Sequence, residues 1–487
     1  MTSLLGEIDV LERSGDPGAI EVTGVEHDSR SVAPGDLFCC IVGRETDGHD
    51  HAPEAVERGA VALVTERELA QLPREVAQVR VEPGQGRAAM ARLAAAFHGH
   101  PAASLLMAGV TGTNGKTTVT HLLGAVLQHA GHPTTVVGTL TGVRTTPEST
   151  DLQRMLAAAR DARPGAPRPA VAMEVSSHAL VQSRVDGVRF DVAVFTNLSH
   201  DHLDFHGTME SYFEAKASLF EPDRAKAAVL DADDPWGRRI LEHLRIPAVG
   251  VTREGVSDVQ LGWGTSAFTW RRQRVALPLT GRVNVANAQL AAEAALFLGV
   301  PPAVVAEGLS TAGPVPGRME VVDAGTAGFS VIVDYAHTPG ALEAVLAEVR
   351  RMAAERAGRS IVVFGCGGDR DASKRQAMGA VAARSADVVV VTSDNPRHED
   401  PAAIIEEVLR GAAGADPQVR PRVEPERRRA IEEAITLARA GDVVLVAGKG
   451  HETVQEVGDR RLPFDDRTVA SQVLAAHTSG RRAGRGD

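Results

Sequence analysis

The sequence predicts an α/β protein of three domains, and three observations carry that prediction. A glycine-rich turn near residue 112 separates a buried-strand run, SLLMAGV, from a segment with helical spacing. Further apolar runs of strand length, VAMEV, FDVAVFTN and KAAVL, alternate with helix-length stretches, as crossover helices covering both faces of a parallel sheet require. A third series, IVVFG, VVVVTSD and VVLVAG, repeats that alternation after a Pro/Gly boundary, which marks a separate, open, Rossmann-like unit. The 487 residues suit three domains at about 100–200 residues each.

Taken in order, residues 1–100 read as short strands and turns: VTGVEHDSRSV, then PGDLFCCIVG, then a helix-like EAVERGA feeding the strand AVALVT. Residues 101–328 form the central unit. Its first helix carries Val119, Leu122, Leu123, Val126 and Leu127 at helical spacing. Between 155 and 169 the composition falls to Ala, Arg, Pro and Gly, and its proline-bearing end reads as a surface loop. The stretch VPGRMEVVDAGTAGFSVIVDYAHTP holds the next boundary, placed at 328/329, because a turn and hairpin precede a new buried strand. Residues 329–478 make the last domain, and 479–487 read as a disordered tail.

Composition narrows the function. With 52 Lys plus Arg against 63 Asp plus Glu, the net charge of −11 disfavours nucleic acid or an anionic membrane as partner. An anionic substrate then needs local cations or a metal. Cys39, Cys40 and Cys366 include no CxxC pair, so no disulfide framework or cysteine zinc site is offered, and a reducing cytoplasm fits. No apolar run reaches membrane-spanning length, and MTSLLGEIDV lacks a signal-peptide pattern.

The sharpest motif is GVTGTNGKTT, residues 109–118. After a strand and before a helix, Gly112, Thr113, Asn114 and Gly115 can aim backbone N–H groups at phosphate oxygens. Lys116 adds a mobile charge, and Thr117, followed by Thr118, offers a hydroxyl to magnesium. The generic phosphate-loop pattern is missed by one residue, Val110 standing where glycine is usual. Glu174 ends the strand of EVSSHAL, and His200, His202 and His206 follow in TNLSHDHLDFHG, so Glu174 and one histidine can meet a magnesium ion beside the nucleotide. Zinc is the competing reading; the lack of cysteines and the neighbouring phosphate loop favour magnesium.

Lys216, in TMESYFEAKASLF, has Tyr212, Phe213, Leu219 and Phe220 at helical neighbour spacings. Two readings stay open on spacing alone. The stem can snorkel, sending its ammonium to water, or a neutral amine can add carbon dioxide to give a carbamate that ligates magnesium. In the last domain, Arg370 of GCGGDRDASKR and Arg397 of DNPR can each grip a carboxylate, while Glu452 of AGKGHE can receive an ammonium, which suggests a zwitterionic amino acid. Surface ion pairing is the plainer reading of either arginine.

Together these motifs resemble the Mur ligase family of bacterial peptidoglycan synthesis over nearly the whole chain, which implies the three-domain architecture of that family. The resemblance implicates Ser29 and Arg30 of DSRSVAPGDLF in a uridine-nucleotide pocket, and Thr145, Thr146, Ser176 and Arg184 in holding the muramoyl-dipeptide. It assigns Lys116 and Thr117 to the triphosphate, and Thr117, Glu174, His202 and a carbamylated Lys216 to magnesium, with two ions accompanying ATP. Lys116, Lys216 and His202 would be the catalytic set. Asn284 and Asn287 of GRVNVANAQ, Arg318, Asp334 and His337 would contact ATP from the domain boundary. Arg370, Asp394, Asn395, Pro396, Arg397, Gly448 and Glu452 would form the amino-acid pocket.

The implied reaction joins meso-diaminopimelate to the D-Glu γ-carboxylate of UDP-MurNAc-L-Ala-D-Glu through an acyl phosphate, with ATP as cosubstrate. The family reads DNPR where diaminopimelate is added, and usually replaces that arginine where L-lysine is added. A lysine-adding ligase is therefore the nearest alternative. A folylpolyglutamate synthetase, a phosphate-loop switch and a nonenzymatic precursor sensor are the others. His200 is the candidate to take the amine proton. A cytoplasmic monomer is expected, without nucleic acid or membrane insertion. Two positions depart from the family pattern: Asp231, where many members have asparagine, and the Cys39–Cys40 pair.

Overall fold

The computed structural model describes the chain except residues 15–19, 44–45, 70–71, 74, 143, 163–166, 326, 417 and 484–487, and gives no side chains for 478–483. The amino-terminal domain is a five-stranded sheet in the order Glu12–Ser14, Ala77–Arg80, Ala62–Thr65, Asp36–Cys39, Gly24–Glu26, parallel apart from its first strand. Helix Gly86–Phe97 covers one face through Ala89, Met90, Leu93 and Ala94. Cys39 and Cys40 are consecutive and point to opposite sides of the sheet, each into its own apolar cluster.

The central domain holds a six-stranded, wholly parallel sheet in the order Ala248–Val251, Ala228–Asp231, Val192–Phe195, Leu106–Thr111, Ala170–Glu174, Thr134–Val137. Its inner strands are buried on both faces, which explains their unbroken apolar runs. On one side pack helices Lys116–His129, Arg282–Phe297 and Pro302–Ser310; on the other, Ser149–Asp161 and Met209–Ala217. The helix Ser149–Asp161 runs into the Ala/Arg-rich start of the 155–169 stretch and ends before its prolines, where a surface loop is expected; residues 163–166 lie outside the described residues, and 167–169 are neither helix nor strand. Its Leu152 and Leu156 are buried and outweigh the Ala/Arg composition. Sequence periodicity also missed the antiparallel sheet Val256–Leu261, Ser266–Trp270, Gln273–Leu277, which buries Phe268, Trp270, Val275 and Leu277 against the helices.

The last sheet runs Glu320–Val322, Ser330–Asp334, Val443–Ala447, Ser360–Phe364, Val388–Val391, Arg422–Val423. Glu320–Val322 pairs antiparallel with Ser330–Asp334, so a cut at 328/329 falls inside a hairpin and this sheet begins by Glu320. The closing helix spans Asp466–Ala483; the backbone of 479–483 is helical where disorder is expected, and 484–487 lie outside the described residues.

Strand register places the functional loops. Val110 lies opposite Glu174 and Val194 in the central sheet, so the glycine turn, Glu174 and Thr196 leave at the same carboxyl edge. In the last sheet Asp334 lies opposite Ala447, and Phe364 opposite Val391, so the segments after 334, 364, 391 and 447 share an edge. The two edges meet: Arg318 Nη2 donates to Thr117 Oγ1 at 3.0 Å, and a Cβ on Gly340 would lie 3.4 Å from Ser199.

Candidate active site

The glycine turn has the backbone its sequence demands. Gly112 sits at φ 145°, and a Cβ there would fall 1.9 Å from Thr196 Oγ1; Gly115, at φ 85°, would strike the side-chain oxygen of Asn287. Lys116 folds back so that Nζ donates to the carbonyls of Gly112 (2.9 Å) and Thr113 (2.8 Å). The loop is tied to the TNLSHDH segment. Asn114 N donates to Asn197 Oδ1 at 3.0 Å, Ser199 N donates to Thr113 Oγ1 at 3.0 Å, and Thr196 Oγ1 donates to Asn114 O. That segment stood out for its histidines, and these asparagine and serine anchors carried no separate sequence signal.

Lys216 lies in the last turn of the helix Met209–Ala217 with 1% of its surface exposed, and its Nζ donates to Gly112 O at 2.8 Å. The ammonium does not snorkel to water. Lys116 and Lys216 therefore share one carbonyl. Burial first, and the Lys116 charge second, push the Lys216 amine well below the ordinary lysine range. Tyr212 packs beside it, 4.7 Å from Nζ to ring centroid.

Thr117 and Glu174 are brought together: Thr117 Oγ1 lies 3.1 Å from both carboxylate oxygens, one of which also accepts from Thr139 N at 2.8 Å. His202, at φ 55°, packs edge-on to His178, and His206 bonds Ser177 Oγ at 2.9 Å. Burial lowers His202 and His206, keeping both rings neutral, the form that ligates metal. Among the described residues no group of three or more His, Cys, Asp or Glu side chains is arranged to hold a metal. A hydroxyl touching one carboxylate still suits magnesium, which takes few protein ligands and completes its shell with phosphate and water.

A cavity of about 460 Å³ opens from the loop across both edges, lined by Gly115, Asn287, Asp231, Arg318, Asp334 and Glu348 among others. Asn284 Nδ2 donates to Thr280 O at 2.8 Å, within reach of Asn287. Asp334 accepts from Met319 N and Ala336 N, Arg318 lies over the Tyr335 ring, and His337 Nδ1 faces Tyr335 O at 2.8 Å. Asp231, the departure from the family pattern, is pushed up to about 6, chiefly by burial.

The dipeptide candidates divide. Thr146 Oγ1 donates to Glu174 O at 2.9 Å and accepts from Ser176 N at 3.0 Å, and Arg184 Nη1 donates to Thr146 O at 3.2 Å. Thr145 meets Thr139 instead. Sequence reasoning missed Glu148, a buried carboxylate that gathers Arg87, Arg144 and Arg184 at 3.0, 3.2 and 2.8 Å. In the amino-terminal domain Ser29 bonds Glu54, and exposed Arg30 is paired with Asp28. His27, bonded to Thr150 at 2.7 Å, links that domain to the central one.

In the last domain Asn395 and Glu452 meet at 2.8 Å, joined by Lys449, a fully buried lysine that sequence reasoning passed over. Gly448 fits against Asp394, where a Cβ would lie 2.5 Å from its carboxylate. Arg397 donates to Glu456 (2.8 Å) and Gly368 O (2.7 Å), and a Cβ on Gly368 would collide with Pro396 O. Arg370 lies exposed on the turn before helix Lys374–Ser385.

A phosphate loop facing, across one cleft, a second α/β edge that carries paired charges defines an ATP-dependent ligase. The Mur ligase middle domain matches residues 110–295, the Mur ligase glutamate ligase domain 317–450, and the Mur ligase family catalytic domain 21–98. The UDP-N-acetylmuramoyl-L-alanyl-D-glutamate--2,6-diaminopimelate ligase of Gloeobacter violaceus is 45% identical over 478 residues, covering 94% of this chain and 95% of that one. The protein of the same description from Streptomyces coelicolor is 42% identical over 496 residues, covering 97% and 96%. A solved structure of that ligase aligns with TM-score 0.64 and 30% identity over 98% of this chain and 99% of its own. The chain belongs to the Mur ligase family, whose members use ATP and magnesium. Among the described residues no helix is long and apolar enough to cross a membrane.

Proposed function

We propose that this ligase joins meso-2,6-diaminopimelate to the D-Glu γ-carboxylate of UDP-MurNAc-L-Ala-D-Glu, consuming ATP, in the cytoplasmic synthesis of peptidoglycan precursors. The observation that carries the third substrate is Arg397, set beside the Asn395–Glu452–Lys449 cluster. Diaminopimelate has one more carboxylate than lysine, and an arginine there pairs a charge that would otherwise be desolvated alone.

Lys116 compensates charge on the transferred phosphoryl group, and Asn284, Asn287, Arg318, Asp334 and His337 hold the rest of ATP. Ser29 and Arg30 serve the uridine nucleotide. Thr145, Thr146, Ser176 and Arg184 orient the dipeptide so that its carboxylate faces the γ-phosphorus. Thr117, Glu174 and His202 would hold magnesium, which supplies further charge compensation when bound. Arg370, Asp394, Asn395, Pro396, Arg397, Gly448 and Glu452 present the amino acid, whose amine displaces phosphate from the acyl phosphate. No protein nucleophile is required.

Lys216 suits carbamylation because the reaction needs a neutral amine, and burial beside Lys116 favours one. Its nitrogen would bond to carbon dioxide and release a proton, leaving an anion near Lys116 that would supply oxygen ligands to magnesium. Lys216→Ala is expected to lose ligation and to regain part of it with millimolar formate or acetate. Absence of any recovery would count against the carbamate.

Phosphate release with ATP, UDP-MurNAc-L-Ala-D-Glu and either meso-diaminopimelate or L-lysine, with the product identified by mass, tests the assignment. Turnover with L-lysine alone would overturn the third substrate. Arg397→Ala should raise the KM for diaminopimelate by about tenfold to a hundredfold, the order expected for an unpaired carboxylate, while the KM for ATP stays nearly constant. Equal loss of both would point to a folding role.

A further inference from the structure

Lys374 is the first residue of helix Lys374–Ser385 and is only 8% exposed. Its ion-pair partner, Asp201 Oδ1, stands 3.9 Å away across the domain boundary, too far for a hydrogen bond. A contact of that length leaves the ammonium weakly paired, and a cation at a helix amino terminus also opposes the helix dipole. Stability alone gives no reason for a lysine there. Beside it, His200 Nδ1 and Asp371 Oδ2 are buried without hydrogen-bond partners among the described residues and lie 3.9 Å apart. Polar groups from both domains thus come close at the boundary, at 3.9 Å in each pair. This boundary lies near the phosphate loop, because Ser199, two residues before Asp201, is bonded to Thr113 and Asn114.

We infer that Lys374 is a further catalytic residue, binding with the first amides of its helix the phosphoryl group that passes from ATP to the substrate carboxylate. This rests on the ligase reading above. A carboxylate oxygen bonds to the γ-phosphorus, the bond to the β,γ-bridging oxygen breaks, and the electron pair leaves with ADP. Lys374 donates hydrogen bonds to the equatorial oxygens. The amine nitrogen then bonds to the acyl carbon, the acyl C–O bond breaks with its electrons leaving on phosphate, and the amine proton passes to solvent. Lys116 grips the group from the central domain and Lys374 from the amino-acid domain, so chemistry waits for the two edges to meet.

The test uses the full-length enzyme with Lys374→Met and Lys374→Arg, measuring kcat for ligation and, by calorimetry, the affinities for ATP and diaminopimelate. Lys374→Met should lower kcat at least a hundredfold with both affinities within threefold of the parent, and Lys374→Arg should restore more than a tenth of the rate. A kcat loss below tenfold, or a loss matched by weaker amino-acid binding, overturns the inference. Should Lys374→Met fail to fold, the neutral Lys374→Gln carries the same measurement. A parent enzyme that does not ligate at all would instead refute the ligase reading.

Discussion

Replacing Lys116 by alanine is expected to reduce ligation by about a hundredfold to a thousandfold or more, the scale seen when one preorganised charge-stabilising group is removed. The Lys116 ammonium donates to the Gly112 and Thr113 carbonyls. Burial holds it below the ordinary lysine range, and an anion beside it would favour its charged form. Phosphoryl transfer makes little use of protein nucleophiles and depends on positioning and charge compensation, which is why a single cation matters so much. The loop should keep its shape, since Lys216 still donates to Gly112 O and the Asn197 and Ser199 anchors remain. Phosphate release with all three substrates measures the effect, with thermal unfolding as the control. Near-normal turnover in a folded variant would contradict the role given to this loop.

The largest expected stability effect lies in the last domain, at Arg427→Met. Arg427 and Asp466 are both fully buried and joined by two hydrogen bonds, Nε to Oδ1 at 2.8 Å and Nη2 to Oδ2 at 2.7 Å. Nη2 also donates to Ala447 O, at the end of the strand that leads into Gly448 and Lys449. Removing the arginine leaves Asp466 charged, buried and unpaired, which costs about 3–5 kcal/mol. Urea unfolding and hydrogen exchange of Val443–Ala447 should both register the loss. Replacing both partners by apolar residues should recover much of it, because no orphaned charge is left. A single-variant loss below about 1 kcal/mol would mean that the pair is not buried as described.

Much of the site was readable as local pattern. Gly112 and Gly115 announced a turn that only glycine adopts without collision, and the apolar runs announced strands covered on both faces. The helix Ser149–Asp161 and the sheet spanning 256–277 were not readable in this way. Their apolar residues are sparse or alternate over short stretches, and their structure comes from what they pack against.

By itself, then, the sequence determined the phosphate loop, the buried strands of the central and last sheets, and the residue types available for phosphate, carboxylate and ammonium. These depend on backbone conformation and periodicity within a few residues. Tertiary structure alone decided that Lys216 would share the Gly112 carbonyl across 104 residues, that Arg318 would reach Thr117 across 201, and that Glu148 would collect three arginines. It also decided that Lys374 would be carried to Asp201. Such pairings are set by strand register and by the meeting of two sheet edges, and neither leaves a mark on the neighbouring sequence.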